Sequence, residues 1–249
     1  LLAMYKDIDR ASMDAAVIRS HARANEAWNE GRYGERVIAI THEDGSLALD
    51  RDENIREFKD MAVFDRYGPI FAPTGAEGFD DILLARHPEL SAVEHRHTAA
   101  HCPPIADGAA LILVGTLEAG KRLGLKPLAR IRAVAEAAND PVMQLTAGFT
   151  AMTRALDRAG LSVESVGAIE FMEAFAVVPV LFEREFQPDM AKVNPNGGHL
   201  AMGHPMGATG AILATTLLDT MVQLNGETGL VVATGGVGVG AAMILERTA

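Results

Sequence analysis

The stretch Asn194-Pro195-Asn196-Gly197-Gly198-His199-Leu200-Ala201-Met202-Gly203-His204-Pro205-Met206-Gly207-Ala208-Thr209-Gly210 decides the reading of this chain. Five glycines and a His-Pro step fall within seventeen positions, followed by an apolar run that reads as a helix from about Thr209. Glycine gives the backbone conformations that other residues avoid and lets it approach a ligand closely. A helix opening behind such a loop turns unpaired N–H groups toward it. His204 stands at the tip, where an imidazole can take up or release a proton near neutrality. A bare Gly-His-Pro would pass for a strand-to-helix turn with an incidental histidine. The whole string is hard to obtain from packing alone.

Outward from this loop, composition narrows the field. With 249 residues and 49% of them hydrophobic, the chain can bury one large or two modest cores. Its net charge of -11 argues against nucleic acid or an anionic membrane surface as a general partner. A polyanionic small molecule would need a local basic patch. The single cysteine rules out a disulfide framework and fits a reducing, cytoplasmic setting. No apolar run reaches the length of a membrane span, and no basic-then-apolar signal segment opens the chain. The start at Leu1 reads as the middle of a protein.

Pattern reading predicts a helix over residues 12–30, with Ser12 as N-cap, Asp14 in the first turn and Gly31 as the stop. A short strand is expected from Val37 to Ile40, then a turn at Asp44-Gly45. Residues 50–100 are the least regular part, with a short helix near Asp80 to Ala85. Strand and helix then alternate. Ala109–Val114 reads as a strand, Glu118–Leu123 as a helix ended by Gly124, and Ala129–Ala135 as a strand. Thr150–Ala159 reads as a helix stopped by Gly160, Val166–Glu170 as a strand and Ala174–Phe186 as a helix. A long helix through Met221 and strands at Gly229–Thr234 and Ala241–Glu246 close the chain. The alternation implies an α/β fold with helices on the faces of a sheet.

The loop matches throughout the C-terminal signature of the thiolases, N-x-x-G-G-x-[LIVM]-[SA]-x-G-H-P-x-[GA]-x-[ST]-G. Further segments resemble the same family. These are Asp14, Arg19-Ser20-His21 and Ala24 in the first helix, Asp52-Glu53-Asn54-Ile55-Arg56, and Asp107-Gly108-Ala109-Ala110. The resemblance implies a thiolase-like layered α/β fold, helices on mixed sheets, whose first half-domain is incomplete. It divides the chain into a loop or insertion domain (1–106), the end of the N-terminal half (107–140) and the C-terminal half (141–249). The implied activity is acyl transfer between coenzyme A thioesters, forming or cleaving a 3-ketoacyl-CoA, with no tightly bound cofactor or metal. A homodimer or homotetramer is the implied assembly.

Such chemistry needs a nucleophile, a base beside a carbonyl, and donors aimed at the oxygens where charge develops. By resemblance, His204 is the base that activates a cysteine nucleophile. Cys102, in His101-Cys102-Pro103-Pro104, has the wrong context for that nucleophile, so the resemblance places it in an upstream portion or a partner chain. Met172 occupies the Asn or His position of the family's N-E-A-F box, followed by Glu173, Ala174 and Phe175; a thioether cannot donate a hydrogen bond. Glu173 is an orienting carboxylate or simply a solvated or strand-end acid. Thr234 occupies the place of the family's acid/base cysteine, and an alkanol is a poor substitute for a thiol. Gly236 is a candidate backbone donor to an oxyanion, though the run from Thr234 to Gly240 also reads as a plain glycine-rich turn. Arg56 is the candidate to pair a phosphate of the coenzyme A nucleotide or stack on its adenine, or else an exposed arginine on a solvated loop, and Ala174, Phe175 and Ile105 are the further candidates for holding coenzyme A. Two rivals stand beside the enzyme reading: an impaired subunit that binds acyl-CoA, and a sterol-carrier-type relative with bulkier acyl groups.

Overall fold

The computed structural model describes residues 1–58 and 61–248. Its element order begins with α1 (Leu2–Tyr5) and α2 (Arg10–Asn29). A two-stranded ribbon follows, β1 (Ile40–Thr41) with β2 (Leu47–Leu49), then α3 (Ala72–Thr74), α4 (Asp80–Arg86) and α5 (Leu117–Arg122). The remainder alternates: β3 (Ala129–Ala138), α6 (Ala147–Ala159), β4 (Ala168–Phe171), α7 (Val177–Phe186), α8 (His199–Met202), α9 (Thr209–Gln223), β5 (Thr228–Thr234) and β6 (Val239–Arg247).

The four long strands form one mixed sheet in the order β3-β6-β5-β4, with β4 and β5 parallel and the other pairs antiparallel. Because side chains alternate along a strand, β5 presents two faces. Gly229 faces Leu217 and Met221 of α9, whereas Val232 and Thr234 face Gly148 at the start of α6. The two helices therefore cover opposite sides of the sheet. Glycine permits the closeness of α6: a Cβ on Gly240 of β6 would lie 2.2 Å from the Gly148 nitrogen. Phe149, Phe171 and Phe182 stack beside this contact, and Leu217, Leu230 and Ile244 are completely buried.

Helix α2 lies against α8 and α7 and brings Met13, Ala16, Val17, Ala24 and Ala27 into the core. Its cap is Asp9, whose carboxylate accepts from the Ser12 N–H at 2.7 Å, so Ser12 is a capped residue and not the cap. A carboxylate at this position satisfies an otherwise unpaired N–H and suits the positive end of the helix. Asp14 accordingly sits past the first turn. Gly31, with φ of 68°, and Gly160, with φ of 63°, stand in the left-handed region just beyond the two helices they were expected to end.

Two expected strands differ. Only Ile40 of Val37–Ile40 enters a strand. Ala109–Val114 forms none: Leu111 is 95% and Leu113 78% exposed, and the segment has no strand partner among the described residues. An apolar run becomes a strand only where a neighbouring strand takes its N–H and C=O groups. No helix among the described residues is long and apolar enough to cross a membrane.

Candidate active site

The signature loop is anchored on the Phe171–Glu173 corner at the end of β4. Asn194, held at a φ of 43°, applies its side-chain amide to the backbone of Phe171, accepting its N–H at 2.7 Å and donating to its C=O at 2.8 Å. The carboxamide thus completes the strand end as another backbone would. The same Nδ2 lies 3.2 Å from Glu173 Oε1. Glu173 also accepts from Ser20 Oγ at 2.6 Å and from the Leu200 N–H at 3.2 Å. Gly198 fits only because it lacks a side chain, since a Cβ would lie 2.4 Å from the Glu173 carboxyl carbon. Burial pushes the Glu173 pKa up, and the bonds from Ser20, Asn194 and Leu200 oppose that shift. Of its two expected roles the solvated acid is excluded: Glu173 is a buried clasp joining α2, β4 and the loop.

The rest of the loop wraps the segment before Asp107. The His204 N–H donates to the Pro104 carbonyl at 2.8 Å, and Ile105, 80% exposed, runs parallel beside His204. Gly203, with φ of 95°, would with a Cβ press to 2.8 Å from Ala106 and 3.2 Å from Asn54 Nδ2. Gly108 likewise lies against Pro205. His204 is half-buried, and burial lowers its pKa. Its Nδ1 lies 2.7 Å from Thr209 Oγ1. Thr209 is the first residue of α9, so the helix start fixes one ring nitrogen and leaves Nε2 for chemistry.

Met172 and Thr234 lie close to each other in the sheet. The Met172 N–H donates to Val232 on β5, two residues before Thr234, so both stand at the carboxyl ends of parallel strands. Clefts for ligands form at such strand ends in α/β sheets. Both side chains are nonetheless buried. Thr234 sits under Gly148, and its Oγ1 has no hydrogen-bond partner among the described residues. Gly236 lies in the turn between β5 and β6, with Gln144 Oε1 on its side-chain side. Ala174 is buried, and Phe175 meets Phe71 and His97 edge-on.

Arg56 joins the loop through His21, whose ring meets the Leu200 backbone. It is exposed at an open cleft of about 260 Å³ lined also by Ile18, His21, Asn25 and Phe58. Its backbone is fixed from α2: the N–H donates to His21 Nδ1 at 3.0 Å, and the C=O accepts from Asn25 at 3.0 Å. Burial pushes His21 down to about 4, so it is neutral at pH 7 and accepts this bond.

Sequence reasoning gave no role to four groups that the structure places here. His101 is completely buried, its Nε2 2.6 Å from Asp14 Oδ1 and its Nδ1 accepting from the Thr98 N–H. Neither ring nitrogen serves Cys102, whose thiol burial pushes up to about 11; an unactivated thiol is the result. Glu170, also fully buried, accepts from Thr220 Oγ1 at 2.7 Å and is pushed up to about 8 by burial. Ser20 and His199 are the others at the clasp. A carboxylate inside an apolar strand was the available signal for Glu170; nothing local marks the pairing of His101 with a residue 87 positions away.

The mixed sheet with helices on both faces and this glycine-lined loop define an α/β class, and the comparisons give the family. The model of the thiolase C-terminal domain matches residues 125–247, and that of the thiolase N-terminal domain matches residues 1–77. The chain belongs to the thiolase family. It is 34% identical over 247 residues to the steroid 3-ketoacyl-CoA thiolase FadA6 of Mycobacterium tuberculosis, covering 99% of this chain and 55% of that protein. It is 36% identical over 252 residues to a 3-ketoacyl-CoA thiolase of Psychrobacter cryohalolentis, covering 99% and 60%. The crystal structure of human mitochondrial 3-ketoacyl-CoA thiolase superposes with a TM-score of 0.83 at 26% identity, covering all of this chain and 58% of that one. The chain thus spans little more than half the length of these relatives.

Proposed function

We propose that this chain forms part of a thiolase-type acyl-CoA C-acyltransferase, which condenses acyl-CoA thioesters or cleaves a 3-ketoacyl-CoA with coenzyme A. The observation that carries the reading is the loop itself. It fixes one nitrogen of His204 on Thr209 and is locked to α2 and β4 through Glu173. In cleavage, His204 Nε2 takes the proton of a cysteine thiol, and the thiolate adds to the C3 carbonyl of the substrate. The C2–C3 bond then breaks, acetyl-CoA leaves after protonation at C2, and the acyl group passes from the cysteine to coenzyme A. The nucleophile comes from a portion outside these residues or from a partner chain, because the half-buried Cys102 thiol is pushed up to about 11 and is unactivated.

Gly236 provides a backbone N–H for an oxyanion, Arg56 pairs with the nucleotide phosphate, and Ile105, Ala174 and Phe175 border the acyl chain. Coenzyme A thioesters are substrates, with no further cofactor held. The division at residues 106 and 140, a homodimer or homotetramer, and a cytoplasmic location belong to the same reading. The names of the relatives favour 3-ketoacyl-CoA thioesters, and the steroid relative makes a bulky acyl group a substrate to test.

A second reading has a specific observation behind it. Met172 cannot donate, and the buried Thr234 hydroxyl cannot replace a thiol as proton donor at C2. These support a subunit that binds acyl-CoA with little turnover. One experiment separates the two: mass spectrometry, native and denaturing, of the protein purified from its source after exposure to acetyl-CoA. An acetylated cysteine upstream or on a stoichiometric partner, lost in a His204→Ala variant, is the result expected of the enzyme. Unmodified protein that still retains coenzyme A supports the binding subunit.

A further inference from the structure

His199 is a buried residue of the signature loop to which the acyl-transfer reading gives no role. It opens α8, is 4% exposed, and its Nδ1 has no hydrogen-bond partner among the described residues. Leaving a buried polar atom unpaired is destabilising, and an apolar side chain of the same size would avoid that cost. Its ring lies 5.8 Å from that of His204, with the two planes at 87°. Burial and the neighbouring His204 push its pKa down to about 4, so at pH 7 the ring is neutral and carries one N–H.

The position of His199 is set from both sides. Its neighbours Gly198 and Leu200 both rest on Glu173, which follows Met172 in the chain. His199 is therefore held beside Glu173, with its ring against that of His204. Acyl transfer develops negative charge on a thioester oxygen and needs donors placed in advance. Met172 offers none.

Resting on the acyl-CoA reading above, we propose that His199 donates its imidazole N–H to the thioester carbonyl oxygen, supplying the donor that Met172 lacks. The unpaired ring nitrogen is then a binding group that finds its partner in the substrate. His204 acts beside it as base, with one of its own nitrogens occupied by Thr209.

The test uses two variants and two probes. His199→Phe keeps the bulk and removes both nitrogens; His199→Asn keeps a donor near the position of Nδ1. Each is titrated with coenzyme A and with acetoacetyl-CoA carrying 13C at the thioester carbonyl. The expected result is unchanged coenzyme A affinity in His199→Phe, acetoacetyl-CoA binding weaker by about tenfold, and a carbonyl resonance near its free value. His199→Asn should recover binding to within about threefold and restore the downfield shift. Equal acetoacetyl-CoA affinity and an equal carbonyl shift in wild type and His199→Phe overturn the proposal. Should His199→Phe fail to fold, the wild type decides, because a carbonyl resonance unmoved on binding overturns it equally. Wild-type protein that binds neither probe overturns the acyl-CoA reading as well, whereas coenzyme A bound with no gain from the acetoacetyl group overturns only the role of His199.

Discussion

Two apolar hexapeptides of this chain, Ala109–Val114 and Gly229–Thr234, read alike and end differently. The second is part of β5, flanked by β4 and β6, with Leu230 and Val232 completely buried. The first has no strand partner among the described residues, and its leucines face solvent. Local sequence does not separate them. The difference lies in what surrounds each: β5 has a hydrogen-bonding neighbour on both edges and a helix on each face, whereas 109–114 has no strand partner among the described residues. A strand is a property of a pair, and burial follows the pairing.

The comparison is broken most directly at the glycines that bring α6 onto the sheet. Gly240→Val places carbon atoms where the Gly148 backbone stands, and should cost about 4 kcal/mol or abolish folding, read from the urea midpoint. A loss below about 1 kcal/mol would show that α6 can retreat without harm.

Next comes the clasp. Glu173→Ala leaves Ser20, Asn194 and the Leu200 N–H without their buried acceptor, and should cost about 3 kcal/mol in the same measurement. It should also loosen the whole stretch 194–204, visible as faster amide exchange at Leu200 and His204 than at Leu230.

Glu170 sharpens the comparison through pH. Its folded pKa of about 8 lies above the ordinary carboxyl value of 4.5, so the folded state holds a proton that the unfolded state has lost. The stabilisation by this group is complete below about pH 4.5 and disappears as pH rises toward 8. His21, His97 and His199, all pushed down to about 4, act with the opposite sign between about pH 4 and 6.5. Their share cancels when wild type is compared with Glu170→Gln. That variant should gain on wild type by on the order of 2 kcal/mol between pH 5 and pH 8. A constant difference across the range would mean that Glu170 is ionised in the fold.

The smallest effect belongs to the unpaired hexapeptide. Leu113→Ser should change stability by less than about 0.5 kcal/mol, because an exposed side chain loses little burial. A cost of 2 kcal/mol would reveal a partner for this segment, such as a second copy of the chain, in solution.

Much of the site was legible because its residues lie close together in sequence. The glycines of 197–210, His204 and the Glu173-Ala174-Phe175 box were read directly, and Gly198 and Gly203 do stand where a side chain would collide. Cys102 was set aside on its context, and its half-buried thiol is pushed up to about 11. Asp9 was missed as a cap because Ser12, equally capable, lies three residues on. The strand at 109–114 was expected because an apolar run carries its own pattern but not its partner. Glu173 was left between two roles, since the sequence cannot show that Ser20, 153 positions away, donates to it.

By itself, then, the sequence determined the family, the alternation of helix and strand after residue 129, and the loop that presents His204. Each of these is written in neighbouring residues, as backbone preference, hydrophobic period or glycine spacing. Only the tertiary structure decided that Glu173 is a clasp, that the Thr234 hydroxyl is buried under α6, and that His199 meets His204 ring to ring. Those outcomes depend on which distant groups share a volume from which water is excluded. Burial sets the cost of an unpaired polar atom and the proton affinity of an acid or imidazole, and burial is a property of the packed chain.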